Sequence, residues 1–138
     1  MREVRPPASG FRFACTACGR CCTGRGAYYV AATAAEQRRI QRFLGISWRW
    51  FRRRYVTRDT DGTESLRWNR DRCVFLDASG RCRIYPVRPA QCRTYPFWPE
   101  LVASPSRWKA EARECEGIGR GGVIPLARVR ARLRQAPD

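Results

Sequence analysis

Four cysteines stand within eight residues in ACTACGRCC, Ala14 to Cys22, and the last two are adjacent. Cys15, Cys18 and Cys21 follow Cys-x2-Cys-x2-Cys, a spacing that lets one tight loop aim several thiolates at a common centre. Bacterial ferredoxins open in this way to hold three irons of a cubane cluster, and take the fourth thiolate from a remote cysteine. Zinc sites more often pair two Cys-x2-Cys knuckles across a longer span. Cys22 fits neither pattern simply, because adjacent side chains diverge; one of the pair serves a second site or lies just behind the first. Four more cysteines are found at Cys73, Cys82, Cys92 and Cys115, giving eight in a chain without histidine. Eight thiols fill two four-ligand sites, or one cluster with redox-active thiols to spare. Neighbouring thiolates repel, and surrounding arginines offset that charge and lower thiol pKa values.

A disulfide framework is the other use for so many cysteines, and compartment decides between them. The chain starts MREVRPPASG, which has no apolar stretch and does not read as a secretory signal. No uninterrupted apolar run approaches the roughly 18 residues of a membrane span. The expected compartment is therefore the cytoplasm, where thiols stay reduced and clustered cysteines hold metal.

The net charge of +16 first suggests a nucleic-acid binder. The basic residues are almost all arginine, however, and they are spread along the chain instead of forming one block. A solvated basic surface is the expected reading, with no specific nucleic acid as partner. Paired carboxylates, a Ser-His-Asp set and a phosphate-cradling loop are all missing from the pattern. Gly117-Ile118-Gly119-Arg120-Gly121 has no clear strand before it and is not read as a nucleotide loop.

At 138 residues the chain is read as one domain. Nine prolines and eleven glycines break it into short pieces, so the expected fold is α+β. It is a small, irregular, metal-stapled domain with short helices and hairpins. Its core covers about residues 11–122, with a basic amphipathic segment at 123–138. Residues 1–10 read as a loose leader, and Phe11 to Gly26 as the ligand-bearing loop. Thr33 and Glu36 make a capping box ahead of a helix from Ala34 to Leu44, with Ile40, Phe43 and Leu44 on one face and Gly45 as its stop. Ser47 caps a second helix, WRWFRRRYV, whose Trp48, Phe51 and Tyr55 stripe belongs to the core. Asp61-Gly62 turns between strands around Tyr55–Thr60 and Thr63–Trp68. CVFLDASGRCRIY reads as another hairpin, with Ser79-Gly80 in its turn and Cys73 and Cys82 on opposite arms. Pro86, Pro89, Pro96 and Pro99 keep the adjoining stretch irregular, apart from one helical turn starting at Pro89. Trp108 to Glu114 reads equally as helix or strand, Gly117 to Gly122 as a flexible loop. Leu126, Val129 and Leu133 lie on one face of a final helix.

The chain resembles a family of bacterial cysteine-cluster proteins, described as zinc- or iron-chelating domains and marked by a CxxCxxCC motif. The resemblance rests on CTACGRCC (Cys15 to Cys22), CVFLDASGRCRIYPVRPAQCRTYPF (Cys73 to Phe97) and CEGIGRG (Cys115 to Gly121). Glu116 departs from the family, standing where a CPGIG-like stretch has proline. The resemblance implies metal or iron–sulfur binding without fixing a reaction. A related cysteine cluster occurs in a flagellin lysine N-methylase, which implies a place beside protein methylation as a third reading.

All eight cysteines are candidate ligands. Tyr85, Arg88 and Arg93 are candidates to hydrogen-bond or charge-compensate the sulfurs, with ordinary surface and core roles as the alternative. Tyr95, Pro96 and Phe97 are expected to pack over the site. The leading reading is a metalloprotein carrying one or two iron–sulfur clusters, of the 4Fe-4S type, with a redox or electron-transfer role and a redox or other protein partner. The competing one is a zinc-stapled interaction module.

Overall fold

The computed structural model describes residues 3–16, 30–70 and 72–136. Cys18, Cys21 and Cys22, and most of the expected ligand loop, lie outside the described residues. Along the chain come β1 (Arg12–Phe13), β2 (Val30–Ala31), α1 (Ala34–Leu44) and α2 (Trp48–Tyr55). Next are strands β3 (Val56–Arg58), β4 (Glu64–Leu66), β5 (Trp68–Asn69) and β6 (Arg72–Cys73). The rest is α3 (Ala90–Thr94), α4 (Pro99–Val102), α5 (Pro105–Glu111), β7 (Ile118–Val123) and α6 (Leu126–Gln135). The fold is α+β, as expected. The chain divides into two compact units, one of Met1–Cys18 with Thr94–Asp138 and one of Gly19–Arg93.

The Gly19–Arg93 unit starts from two helices whose ends are chemically closed. Thr33 Oγ1 accepts from the Glu36 amide and Glu36 Oε1 from the Thr33 amide, while Gly45 takes the left-handed conformation that ends α1. Ser47 caps α2 through the Trp50 amide. Phe51 and Tyr55 are buried with Ile40, Val56, Leu66, Phe75 and Ile84 in one core. The aromatic stripe of α2 thus belongs to that core. Phe43 does not join Ile40 and is exposed, because the α1 stripe turns inward through Glu36, Gln37 and Ile40.

Three antiparallel strands cover this core in the order β2-β4-β3, with Val56 opposite Leu66 and Val30 on the other side of Leu66. The turn forms where expected: Asp61 Oδ1 accepts from the Thr63 amide and Gly62 has φ of 87°. A polar network lies along this layer. Glu64 accepts from Arg52, Arg58 and the Gln37 amide, and buried Gln37 also donates to the Ala32 carbonyl and accepts from Arg52. The Arg52 guanidinium beside Glu64, with Gln37 and Arg58, holds that carboxyl well below the usual carboxylate range.

In the other unit the glycine-rich segment, expected as a flexible loop, is strand from Ile118, with Gly117 in the turn before it. β7 pairs antiparallel with β1, Phe13 opposite Ile118 and Arg12 opposite Val123, with a bulge between. Gly119 and Gly121 supply the left-handed φ angles of 93° and 81° that such an irregular strand requires. Gly117 is needed for a different reason: a Cβ there would run into the Ala14 carbonyl oxygen. Gly117→Ala should therefore push β1 from β7 and destabilise this unit by about 1–3 kcal/mol. Denaturant melts of the two proteins check it; unchanged stability would mean that the ribbon simply moves aside.

Phe11, Phe97, Trp108, Val102, Val129 and Leu133 form the core of this unit. Phe11 meets Trp108 edge-on, with 4.9 Å between ring centroids. The expected leader is partly tied down, since the Arg5 amide donates to the Val102 carbonyl at 2.8 Å and Val4 packs on the core. Prolines make the middle of the chain more helical than expected. Pro99 and Pro105 each occupy the first turn of a helix, where the missing N–H does no harm. Trp108 is in α5, which settles its segment as helix. In α6, Val129 and Leu133 are buried while Leu126 stays exposed.

Candidate metal centre

Cys73, Cys82 and Cys92 come from three separate elements of the Gly19–Arg93 unit, and all three meet its hydrophobic core. Cys73 is a buried member of that core, and Cys82 and Cys92 pack against it. Cys73 ends β6, the short arm of a ribbon in which it lies opposite Trp68. Cys73 and Cys82 stand on either side of the Ser79-Gly80 turn, as the hairpin reading had them, but they do not face each other. The residue opposite Cys82 is Leu76. The reason is Asp77, whose Oδ1 accepts from the amides of Ser79 and Arg81 and from the Ser79 hydroxyl. This turn closes the chain tightly at 77–81 and leaves Cys73 to pair backwards with β5. The same hydrogen bonds, that of the Ser79 side chain first, lower the Asp77 pKa and keep its carboxylate ionised.

Cys92 sits in α3, a helix too short to persist alone. Side chains from elsewhere hold it. Glu36 Oε2 accepts from the Ala90 amide at 2.5 Å, and Gln91 Oε1 accepts from the Ala31 amide at 3.0 Å. The helical turn expected after Pro89 is thus present. These two anchors were not legible in the sequence, because they join residues far apart along the chain.

Tyr85 and Arg88, between Cys82 and Cys92, and Arg93, next after Cys92, form a local set. The Arg88 guanidinium lies over the Tyr85 ring at 3.7 Å and its Nε donates to the Tyr85 carbonyl. Arg93 donates to the Arg88 carbonyl at 3.2 Å. Tyr85 is half-exposed at 51%. Pro96 and Phe97 are buried, and Tyr95 donates its hydroxyl to Glu111 within the other unit.

In the unit containing the chain termini, the β1–β7 pairing carries Cys15 and Cys115 to the same end of one ribbon. The Ala14 amide donates to the Gly117 carbonyl at 3.0 Å. Thr16 donates its hydroxyl to Glu116, the residue that stands in place of proline. Glu116 therefore ties the start of the cysteine motif to the Cys115 segment by a side-chain bond that proline cannot make.

Among the described residues, no three cysteine or carboxylate side chains converge as a metal-holding group. The donor chemistry nevertheless fits a thiophilic metal: thiols are gathered on apolar surface in a chain without histidine. One further atom points the same way. The Trp68 indole N–H is buried without a hydrogen-bond partner among the described residues, on the residue opposite Cys73. A buried donor of this kind ordinarily has an acceptor. Nothing in the spacing of the cysteines marked Trp68. The Ser65 hydroxyl is likewise buried without a partner among the described residues.

No solved structure matches the chain. An uncharacterized protein of Methanocaldococcus jannaschii, MJ0661, is 30% identical over 90 residues, which cover 64% of this chain. The chain spans about half the length of that relative, 47% of it. A family model described as "CxxCxxCC: Putative zinc- or iron-chelating domain" matches residues 14–116, a span that runs through parts of both units and takes in every cysteine. With its thiols placed as described, the chain belongs to the CxxCxxCC family of zinc- or iron-chelating domains.

Proposed function

We propose that the bound metal is iron in a sulfur cluster of the 4Fe-4S type, and that the protein works as a redox or electron-transfer protein with a protein redox partner. The observation that carries this reading is the gathering of Cys73, Cys82 and Cys92 on one apolar core. Together with Cys21 and Cys22, the Gly19–Arg93 unit spans five cysteines, more than the four thiolates a cubane needs. The buried Trp68 N–H suits a sulfur acceptor, which cluster sulfide or a metal-bound thiolate would supply.

When bound, such a cluster supplies one-electron transfer at a potential set by its surroundings. The chain's own residues do the rest. The cysteines hold the metal as thiolates. Phe75, Ile84 and Leu66 exclude water from the sulfur side of the core, which raises the effect of any nearby dipole on the potential. The Asp77 turn and the Glu36 and Gln91 anchors fix the segments that carry Cys82 and Cys92.

Anaerobic purification with iron, zinc and labile-sulfide analysis of the product tests the proposal. The expected product is brown, with iron and sulfide in stoichiometric amounts. A colourless protein that holds stoichiometric zinc, and takes up no cluster when iron and sulfide are supplied, would establish the zinc-stapled module instead.

A further inference from the structure

The exposed side of α1 and α2 carries charge that the other described residues of the Gly19–Arg93 unit do not neutralise. Arg38, Arg39, Arg42, Arg49, Arg53 and Arg54 are all exposed. None of them has a carboxylate at ion-pair distance among the described residues, since Glu64 is taken by Arg52 and Arg58 and Glu36 by backbone amides. Arg49 and Arg53 are four residues apart on one helix face, where like charges repel. The face also exposes aromatic rings, which a merely solvated surface does not need. Trp50 is 49% exposed, with the Arg54 guanidinium 5.9 Å from its ring, and the half-buried Trp48 ring has the guanidinium groups of Arg38 at 4.1 Å and Arg52 at 5.4 Å. The Arg38–Trp48 stack joins the two helices into one surface.

We propose that this surface binds single-stranded nucleic acid without sequence preference. The guanidinium groups meet phosphates, and Trp50 offers its free face to a base, the pairing of charge and ring that single-strand binders use. A duplex hides its base faces and leaves Trp50 without a partner. An anionic membrane fits less well. An interfacial helix needs a broad apolar face, and here the exposed apolar side chains are isolated among arginines. The proposal does not depend on which metal the cysteines hold.

The test uses the full chain as purified, fluorescently labelled oligo-dT and oligo-U of about a dozen nucleotides, and a salt series. Binding should quench tryptophan fluorescence and weaken steeply with salt. Trp50→Ala should weaken binding by about tenfold, while Trp50→Phe retains most of it. Arg53→Ala with Arg54→Ala should lower the salt slope by about 1. The same double change at Arg128 and Arg130, on the equally basic but ring-free helix α6, should matter much less. Equal damage at the α6 pair, or unchanged affinity in Trp50→Ala, would reduce the surface to diffuse charge and overturn the proposal. Tighter binding to phosphatidylserine vesicles than to either oligonucleotide would overturn it in favour of lipid.

Discussion

Cys82→Ser protein should emerge from anaerobic purification without its metal and should melt far below the parent chain. An ordinary exchange of sulfur for oxygen at a half-buried site costs about 1–2 kcal/mol, the scale of one imperfectly satisfied polar group. Losing a structural metal is of another order, since apparent binding energies for structural zinc are on the order of 10 kcal/mol and are folding energy outright. The elements around Cys82 explain why the larger figure applies. β5 and β6 have two residues each and α3 has five, so none is stable through its own hydrogen bonds. The backbone of residue 82 keeps its bridge to Leu76 after the substitution, which confines the change to the sulfur. Metal content and circular dichroism melts of Cys82→Ser and Cys92→Ser, beside the chelated parent, decide it. If chelation leaves melting and spectrum unchanged, the fold stands without metal.

Glu64→Gln should destabilise the Gly19–Arg93 unit by about 2 kcal/mol near neutral pH, the scale of a charge-assisted hydrogen bond in a partly buried setting. The effect should fade in acid, and linkage gives the direction. Arg52, Gln37 and Arg58 hold the Glu64 pKa far below its unfolded value of 4.5. The stabilisation is therefore fully present above that value and is lost as pH falls through the lower, folded pKa. Parent and variant stabilities should approach one another below about pH 4. Urea melts across that range check it, and a parallel offset at every pH would show that packing, not charge, is responsible. Arg52→Ala should act in the same sense, since it leaves both Gln37 and Glu64 short of a donor.

The helices were the legible part of the sequence. Thr33, Glu36, Gly45 and Ser47 close α1 and α2 through residues no more than five positions away, so the signals lie next to the structure they specify. The hairpin at Asp61-Gly62 was readable for the same reason. The features that escaped notice depend on distant chain. The glycine-rich segment looked like a loop because its composition weakens a strand; the approach of Ala14 explains the missing side chain at Gly117, and left-handed φ angles those at Gly119 and Gly121. The pairing of Cys73 with Trp68 was not marked in the sequence, since it arises where Asp77 tightens the next turn and leaves β6 to pair with β5. The candidate site divides likewise. Its cysteines could be named from spacing and resemblance, whereas Trp68, Gln91 and the second role of Glu36 arise only from folding.

That second role joins two events which the sequence keeps 54 residues apart. One oxygen of the Glu36 carboxylate completes the first turn of α1, and the other receives the first amide of α3. Fraying of α1 at its start therefore loosens α3 as well, leaving it the Gln91 anchor alone. The two helix starts make one cooperative opening unit, a small foldon, although nothing covalent links them locally. The thiol of Cys92 is carried on the part that opens.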